Sequence, residues 1–289
     1  MARSLHASEG VLLYSVQSVK GTAVAPAETL GIAEYNVTDD GDYRQFFTVG
    51  KKNLHKNKAG NAKADWQVRL NGLGSPDLLA LGVRTSGQVP WITWGFGSDA
   101  VDASPEAWQV QDSKCDTLEC SLDGGGILTA SLQGIGGQNS ILTTLVADPG
   151  DDNPFFSYEA ICTLAGSPFE LKGFRFTVNH NLTPEYVIRG AAVSSAQQRL
   201  WTYLTEGNEE ITGSVILARR YVKDFQAACP AADGDLVLTL TEACDTGNTF
   251  DITLEDVEFL SQARNMPADG YASFELPFNA KAWAVNVPE

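Results

Sequence analysis

Thr117-Leu118-Glu119-Cys120-Ser121-Leu122-Asp123-Gly124-Gly125-Gly126-Ile127-Leu128-Thr129-Ala130-Ser131-Leu132 reads as two strands joined by a tight turn. Leu118, Cys120 and Leu122 alternate with Glu119 and Ser121, and Leu128, Ala130 and Leu132 with Thr129 and Ser131, so each run has one apolar and one polar face. Three glycines after an aspartate supply the positive-φ residues that a short hairpin needs.

The same period of two recurs on both sides of this hairpin. Upstream it appears at Asp65–Leu70, Trp91–Trp94 and Ala107–Gln111. Downstream it appears at Gly173–Val178, Ile211–Leu217, Leu236–Leu240, Phe250–Leu254 and Ala272–Leu276. Helical signals are few. Ser75-Pro76-Asp77-Leu78-Leu79-Ala80-Leu81-Gly82 offers a cap residue, a proline for the first helical position and a terminating glycine, and Gln197–Leu204 and Tyr221–Ala228 are two further short candidates. The expected fold class is therefore all-β with a few short helices, a β-sandwich or barrel.

The order of elements repeats along the chain. In each half a strand leads to a short helix, then to a strand pair and a closing pair. We expect two tandem similar β units, residues 1–160 and 161–289, joined near Asn153–Pro168 after the loop-like Asp148-Pro149-Gly150-Asp151-Asp152-Asn153-Pro154.

The 289 residues carry 20 Lys and Arg against 36 Asp and Glu, a net charge of −16 that repels phosphate backbones and argues against tight nucleic-acid binding. The charge is uneven. Residues 1–70 have nine bases against seven acids, residues 71–223 nine against 17, and residues 224–289 two against 12. The dense basic stretch holds Lys51, Lys52, His55, Lys56, Lys58 and Lys63 with hardly an apolar side chain. It is expected to be an exposed loop or hairpin arm, spanning about residues 44–63, that reaches an acidic surface on a neighbouring copy or is merely solvated.

Motifs for chemistry are missing. None of His6, His55 and His180 has a metal-ligand neighbour at helical spacing. Gly134-Ile135-Gly136-Gly137-Gln138-Asn139 lacks the third glycine of a dinucleotide loop and reads as a flexible turn after a strand. There is no G-x-S-x-G elbow and no phosphate loop. Asp39-Asp40-Gly41-Asp42 reads as an acidic turn without the ligand spacing of a calcium loop. Five cysteines at irregular spacing predict reduced core residues, and no metal, cofactor or catalytic residue is expected. The start lacks the build of a secretory signal, and no apolar run is long enough to span a membrane. Six tryptophans could stack sugars, as in a carbohydrate-binding β-sandwich, but packing is the commoner use of such residues.

Two stretches carry a family likeness. Glu106–Val110 with Leu118–Gly137, and more sharply Leu171-Lys172-Gly173-Phe174-Arg175-Phe176-Thr177-Val178-Asn179-His180-Asn181-Leu182, resemble tailed-bacteriophage tail tube proteins. After the second stretch come Gly190, a polar segment and Ile211-Thr212-Gly213-Ser214, a further strand of the family pattern. The small helix at Leu73–Gly82 and the closing strand Gly270–Ala282 also fit, so the likeness covers about residues 30 to 285. His180 stands where the pattern more usually has Asn.

The resemblance implies a structural virion protein, not an enzyme, whose β-sandwich subunits join sheets into rings. Stacked rings would form a tube through which DNA leaves the capsid. It implies a virion-tail location after synthesis in the host cytoplasm, with the chain itself, tape measure and terminator proteins as partners and only transient passage of DNA. A ring of three duplicated chains, or of six single ones, and a long flexible unsheathed tail are the expectations it adds.

Overall fold

The computed structural model describes residues 10–22, 24–26, 28–30, 33–40, 43–46, 56–59, 61–74, 76–98, 107–137, 139–142, 153–188, 199–217, 234–243, 248–260, 263–265 and 273–286. In the first half the strands are β1 (Gly10–Gln17), β2 (Glu28–Leu30), β3 (Ala33–Asp40), β4 (Tyr43–Phe46), β5 (Lys56–Ala59) and β6 (Lys63–Leu70). The helix α1 (Asp77–Ala80), β7 (Trp91–Ser98), β8 (Ala107–Asp123), β9 (Thr129–Gly136) and β10 (Asn139–Leu142) follow. The second half continues with β11 (Ala160–Leu164), β12 (Ser167–Pro168), β13 (Leu171–Asn179), β14 (Thr183–Glu185), β15 (Tyr203–Thr205) and β16 (Glu210–Leu217). It ends with β17 (Gly234–Thr241), β18 (Thr249–Phe259), β19 (Ala263–Asn265), β20 (Ser273–Ala280) and β21 (Ala282–Asn286).

A long central sheet runs β3-β6-β9-β8-β13-β16-β20-β19, antiparallel throughout. One outer sheet, β2-β1-β7-β8-β10, belongs to the first half, and another, β12-β11-β17-β18-β21, to the second. Two strands belong to both layers. The 17-residue β8 pairs with β7 up to Ser113 and with β9 from Lys114, and β18 pairs with β17 up to Val257 and with β20 from Glu258.

Alternation sorts the faces as the sequence predicts. The row Val68, Leu132, Leu118, Val178, Ile211 across the central sheet is buried. The neighbouring row, Glu34, Arg69, Ser131, Glu119, Thr177, Thr212 and Asn279, is polar and faces away from the core. Trp66 of the central sheet meets Trp94 of one outer sheet with ring centroids 4.9 Å apart, and Phe176 meets Trp283 of the other at 5.5 Å. A single hydrophobic cluster runs through both halves, so the layers share one core. The protein is thus a β-sandwich-like assembly of sheets with few helices.

The glycine turn of the opening hairpin takes the expected form, with Gly125 at φ +86°. The helix at Asp77–Ala80 is a single turn in which Pro76 is the N-cap residue, one position earlier than the sequence suggests, and Leu78 and Leu79 are buried. Of the expected helix Gln197–Leu204, Gln197 and Gln198 lie outside the described residues and Arg199 is helical; from there Leu200 bridges to Ala62 of the first half and Tyr203 enters β15, opposite Glu185 of β14. Gly134 and Gly136 are strand residues of β9, not a flexible turn. A Cβ at Gly134 would lie 2.4 Å from the Trp66 ring, so glycine is required by the indole that stacks on it. Asp39 and Asp40 likewise end β3 and do not form a turn. The candidate helix Tyr221–Ala228 and residues 148–152 lie outside the described residues.

Candidate assembly surface

The central sheet is continuous across the two halves because β8 pairs with β13 over Asp123↔Gly173 to Thr117↔Asn179. Nothing comparable covers its two ends. β3 pairs with β6 alone, and β19 with β20 alone, among the described residues. On β3, Glu34, Tyr35, Asn36 and Thr38 are all exposed. Open edges of this kind present unpaired N–H and C=O groups and are templates for another chain.

The basic arm is the far end of one long hairpin. β3 pairs with β6 until Asp40↔Lys63, and β4 pairs with β5 from Tyr43↔Ala59 to Phe46↔Lys56, with the register shifted by one residue between the two ladders. Lys56 and Lys58 therefore lie on β5, and Lys63 opens β6, where its Nζ reaches Asp65 at 2.8 Å. Lys51, Lys52 and His55 lie outside the described residues.

The second half carries a corresponding hairpin extension, β14–β15, between β13 and β16, and it lies across the first half. Trp201 Nε1 donates to the Gly136 carbonyl at 2.9 Å, and its ring stacks on Trp91 with centroids 6.0 Å apart. Lys20 Nζ sits 4.0 Å from the Trp201 ring centroid. Ile135, Leu182, Trp201 and Leu204 make a small separate apolar cluster under this extension.

Charge fixes the seat of this extension. Lys114, 3% exposed, pairs with Glu206 and lies over the Trp91 ring at 4.3 Å. Glu206 also accepts from the Val89 N–H at 3.1 Å and lies 3.7 Å from Arg84 Nε, while Arg84 Nη2 donates to the Gly207 carbonyl at 2.7 Å. A lysine this deeply buried needs its carboxylate, since removing either partner strands the other's charge. His180 is fully buried, with Nε2 2.8 Å from the Gly82 carbonyl and Nδ1 3.4 Å from Glu209. Burial lowers the His180 pKa and raises that of Glu209, and the Nε2–H of His180 donates to the Gly82 carbonyl.

The sequence does not expose this junction. Lys114, Glu206 and His180 are ordinary residues of polar stretches until three distant segments are folded together. Four of the six tryptophans, Trp66, Trp94, Trp201 and Trp283, are buried, which removes them from any sugar-stacking surface. Cys115 and Cys120 are buried and Cys162 is half-buried, all as free thiols; burial raises the Cys115 pKa and pushes Cys120 and Cys162 up to about 12. Cys229 and Cys244 lie outside the described residues. Among the described residues no group of three or more His, Cys, Asp or Glu could hold a metal ion, and no helix is long and apolar enough to cross a membrane.

No curated protein matches the chain. The family described as phage tail tube protein matches residues 17–243, which include the outer-to-central crossing of β8, the β8–β13 junction and both hairpin extensions. With most of its length matched, the chain belongs to the phage tail tube protein family, whose members are structural and not enzymes.

Proposed function

We infer that this protein is the repeating subunit of a phage tail tube, and that rings of it stack into the conduit for DNA ejection. The observation that carries this reading is the β8–β13 junction: the chain already joins one β unit to the next through a continuous central sheet, and among the described residues no further strand pairs on the outer edges of β3 and β19. Head-to-tail joining of unlike edges closes into a ring when the rotation allows.

Two tandem units, residues 1–160 and 161–289, explain the strand order. β1–β7, β7–β8, β8–β10, β8–β9, β6–β9 and β3–β6 in the first half have counterparts in β11–β17, β17–β18, β18–β21, β18–β20, β16–β20 and β13–β16. A ring built from such chains has three copies and pseudo-sixfold symmetry, where single units would need six. The polar face of the central sheet lines the channel, and the negative balance of the chain keeps DNA from adhering to it.

The tape measure and tail terminator proteins are the partners this role implies, with the virion tail as location and a long flexible tail as its setting. Sedimentation of the purified protein tests the reading. Species at three times the chain mass and higher multiples of it support it, and a monomer at every concentration contradicts it.

A further inference from the structure

Strand registers in the two halves correspond pair by pair. In β7–β8 the pairs Ile92↔Ser113 and Trp94↔Val110 enclose a bulge, and in β17–β18 the pairs Gly234↔Val257 and Leu236↔Leu254 enclose the same one. Val110 faces Asn139 as Leu254 faces Trp283. Lys114↔Ile135 and Cys115↔Gly134 correspond to Glu258↔Asn279 and Phe259↔Phe278. After each of the latter pairs the ladder slips by one residue, into Thr117↔Gln133 in one half and Ala263↔Glu275 in the other.

This correspondence places Glu258 where the first half has Lys114. Lys114 is the residue that holds Glu206 of the β14–β15 extension. Glu258 is exposed, as are Glu255, Asp256 and Asp235, and Asp235 accepts from the Asp256 N–H at 3.1 Å. Lys281 pairs with Asp256 at 3.2 Å. The charges of the extensions are inverted in the same way: the one that docks inside the chain presents Glu206, and the one in the first half carries Lys56 and Lys58 on β5.

Resting on the tandem-unit, self-associating reading above, we propose that β3 and the lysine-bearing β4–β5 ribbon of one copy dock on the β18–β19 edge and the Glu255, Asp256 and Glu258 surface of a lateral neighbour's second half. The docking repeats, with its charges reversed, the seat that β13 and β14–β15 take on the first half. Transferring the register of Glu119↔Thr177, Cys120↔Phe176 and Ser121↔Arg175 gives Ala263 opposite Thr38, Arg264 opposite Val37 and Asn265 opposite Asn36 of the neighbour. Opposite signs at the two seats also act as a selector. The lysine ribbon is repelled from Lys114 and Arg84, and a Glu206-type extension from Glu258, so each extension accepts one half only and the units alternate round a ring.

Two independent experiments test this. Asn36→Cys with Asn265→Cys, oxidised during assembly, should link neighbouring chains covalently, while the oxidised unmodified protein with its own five cysteines should not. Lys56→Glu with Lys58→Glu should reduce assembly on the order of tenfold, as should Glu255→Lys with Glu258→Lys, and the four changes together should restore most of it. Rings that form without the Asn36–Asn265 link, and that ignore both charge reversals, overturn this docking and leave self-assembly intact. Failure of the unmodified protein to form any ring overturns the docking and the reading it rests on.

Discussion

Asp112 and Asp256 hold the same place in the two halves of the protein. Each is a non-glycine residue with positive φ, 55° and 48°, and each lies in the bulge just before its strand leaves the outer sheet for the central one. Left-handed backbone at an aspartate is uncommon, and here local bonds hold it. The Asp112 carboxylate accepts from the Gly21 N–H at 2.7 Å, and the Asp256 N–H donates to Asp235. The bulge twists a strand enough to carry it from one layer to the next, which lets a single strand tie the sandwich together.

Gly134 and Gly213 lie under large rings in mirrored fashion. Trp66 stands opposite Gly134, and Phe278 opposite Gly213. A Cβ would meet the Lys114 carbonyl at 2.0 Å in the first case and the Phe278 ring at 2.3 Å in the second. Gly134→Ala and Gly213→Ala should each lower the unfolding free energy by about 1–3 kcal/mol, as overpacking does. Urea titration checks this, and an unchanged midpoint for either variant would show that the ring and the strand backbone beside it shift to make room.

Glu206→Gln removes the partner of a buried lysine and should cost about 3–5 kcal/mol. Lys114→Met combined with Glu206→Gln removes both charges and should recover a large part of that loss. Equal losses in the single and double variants, measured by denaturant unfolding, would mean that the junction depends on shape and not on charge.

Burial lowers the His180 pKa in the folded protein, so as the pH falls below about 6.5 the unfolded chain takes up the proton first. Stability therefore rises with pH through that window and falls as the pH drops beneath it. Glu209, raised by burial, acts in the opposite sense at lower pH. His180→Asn keeps a side-chain donor for the Gly82 carbonyl and should flatten the slope of thermal stability between pH 5 and 7. A slope equal to that of the unmodified protein would assign the pH dependence elsewhere.

The polar row containing Glu119 and Thr177 should line the channel of an assembled tube. Glu119→Lys with Thr177→Lys should leave assembly intact and make tubes retain DNA at low salt, releasing it as salt rises. Equal retention by altered and unmodified tubes, in a filter or pelleting assay, would place this face away from DNA.

Strand positions were legible in the sequence wherever one face is buried, because alternation of Leu118, Cys120 and Leu122 with Glu119 and Ser121 records that burial directly. The arm was legible as a polar lysine-rich stretch, and its hairpin form follows from its place between β3 and β6. The seat of the second extension was not legible. In the expected helix Gln197–Leu204, Arg199 is helical, but Leu200 bridges to Ala62 and Tyr203 pairs with Glu185, so from Leu200 onward local propensity is overridden by pairing with distant strands. Lys114 and Glu206 are likewise unremarkable until the fold brings them together. Gly134 looked like a turn residue, and only the folded neighbours, the Lys114 carbonyl and the Trp66 ring, explain why a strand needs a glycine there.

If the protein closes rings from duplicated units, negative-stain electron microscopy across concentration, with averages of end-on views, will show annular particles with threefold symmetry and a pseudo-sixfold outline. Uniformly monomeric particles, or rings of six whole chains, would contradict it.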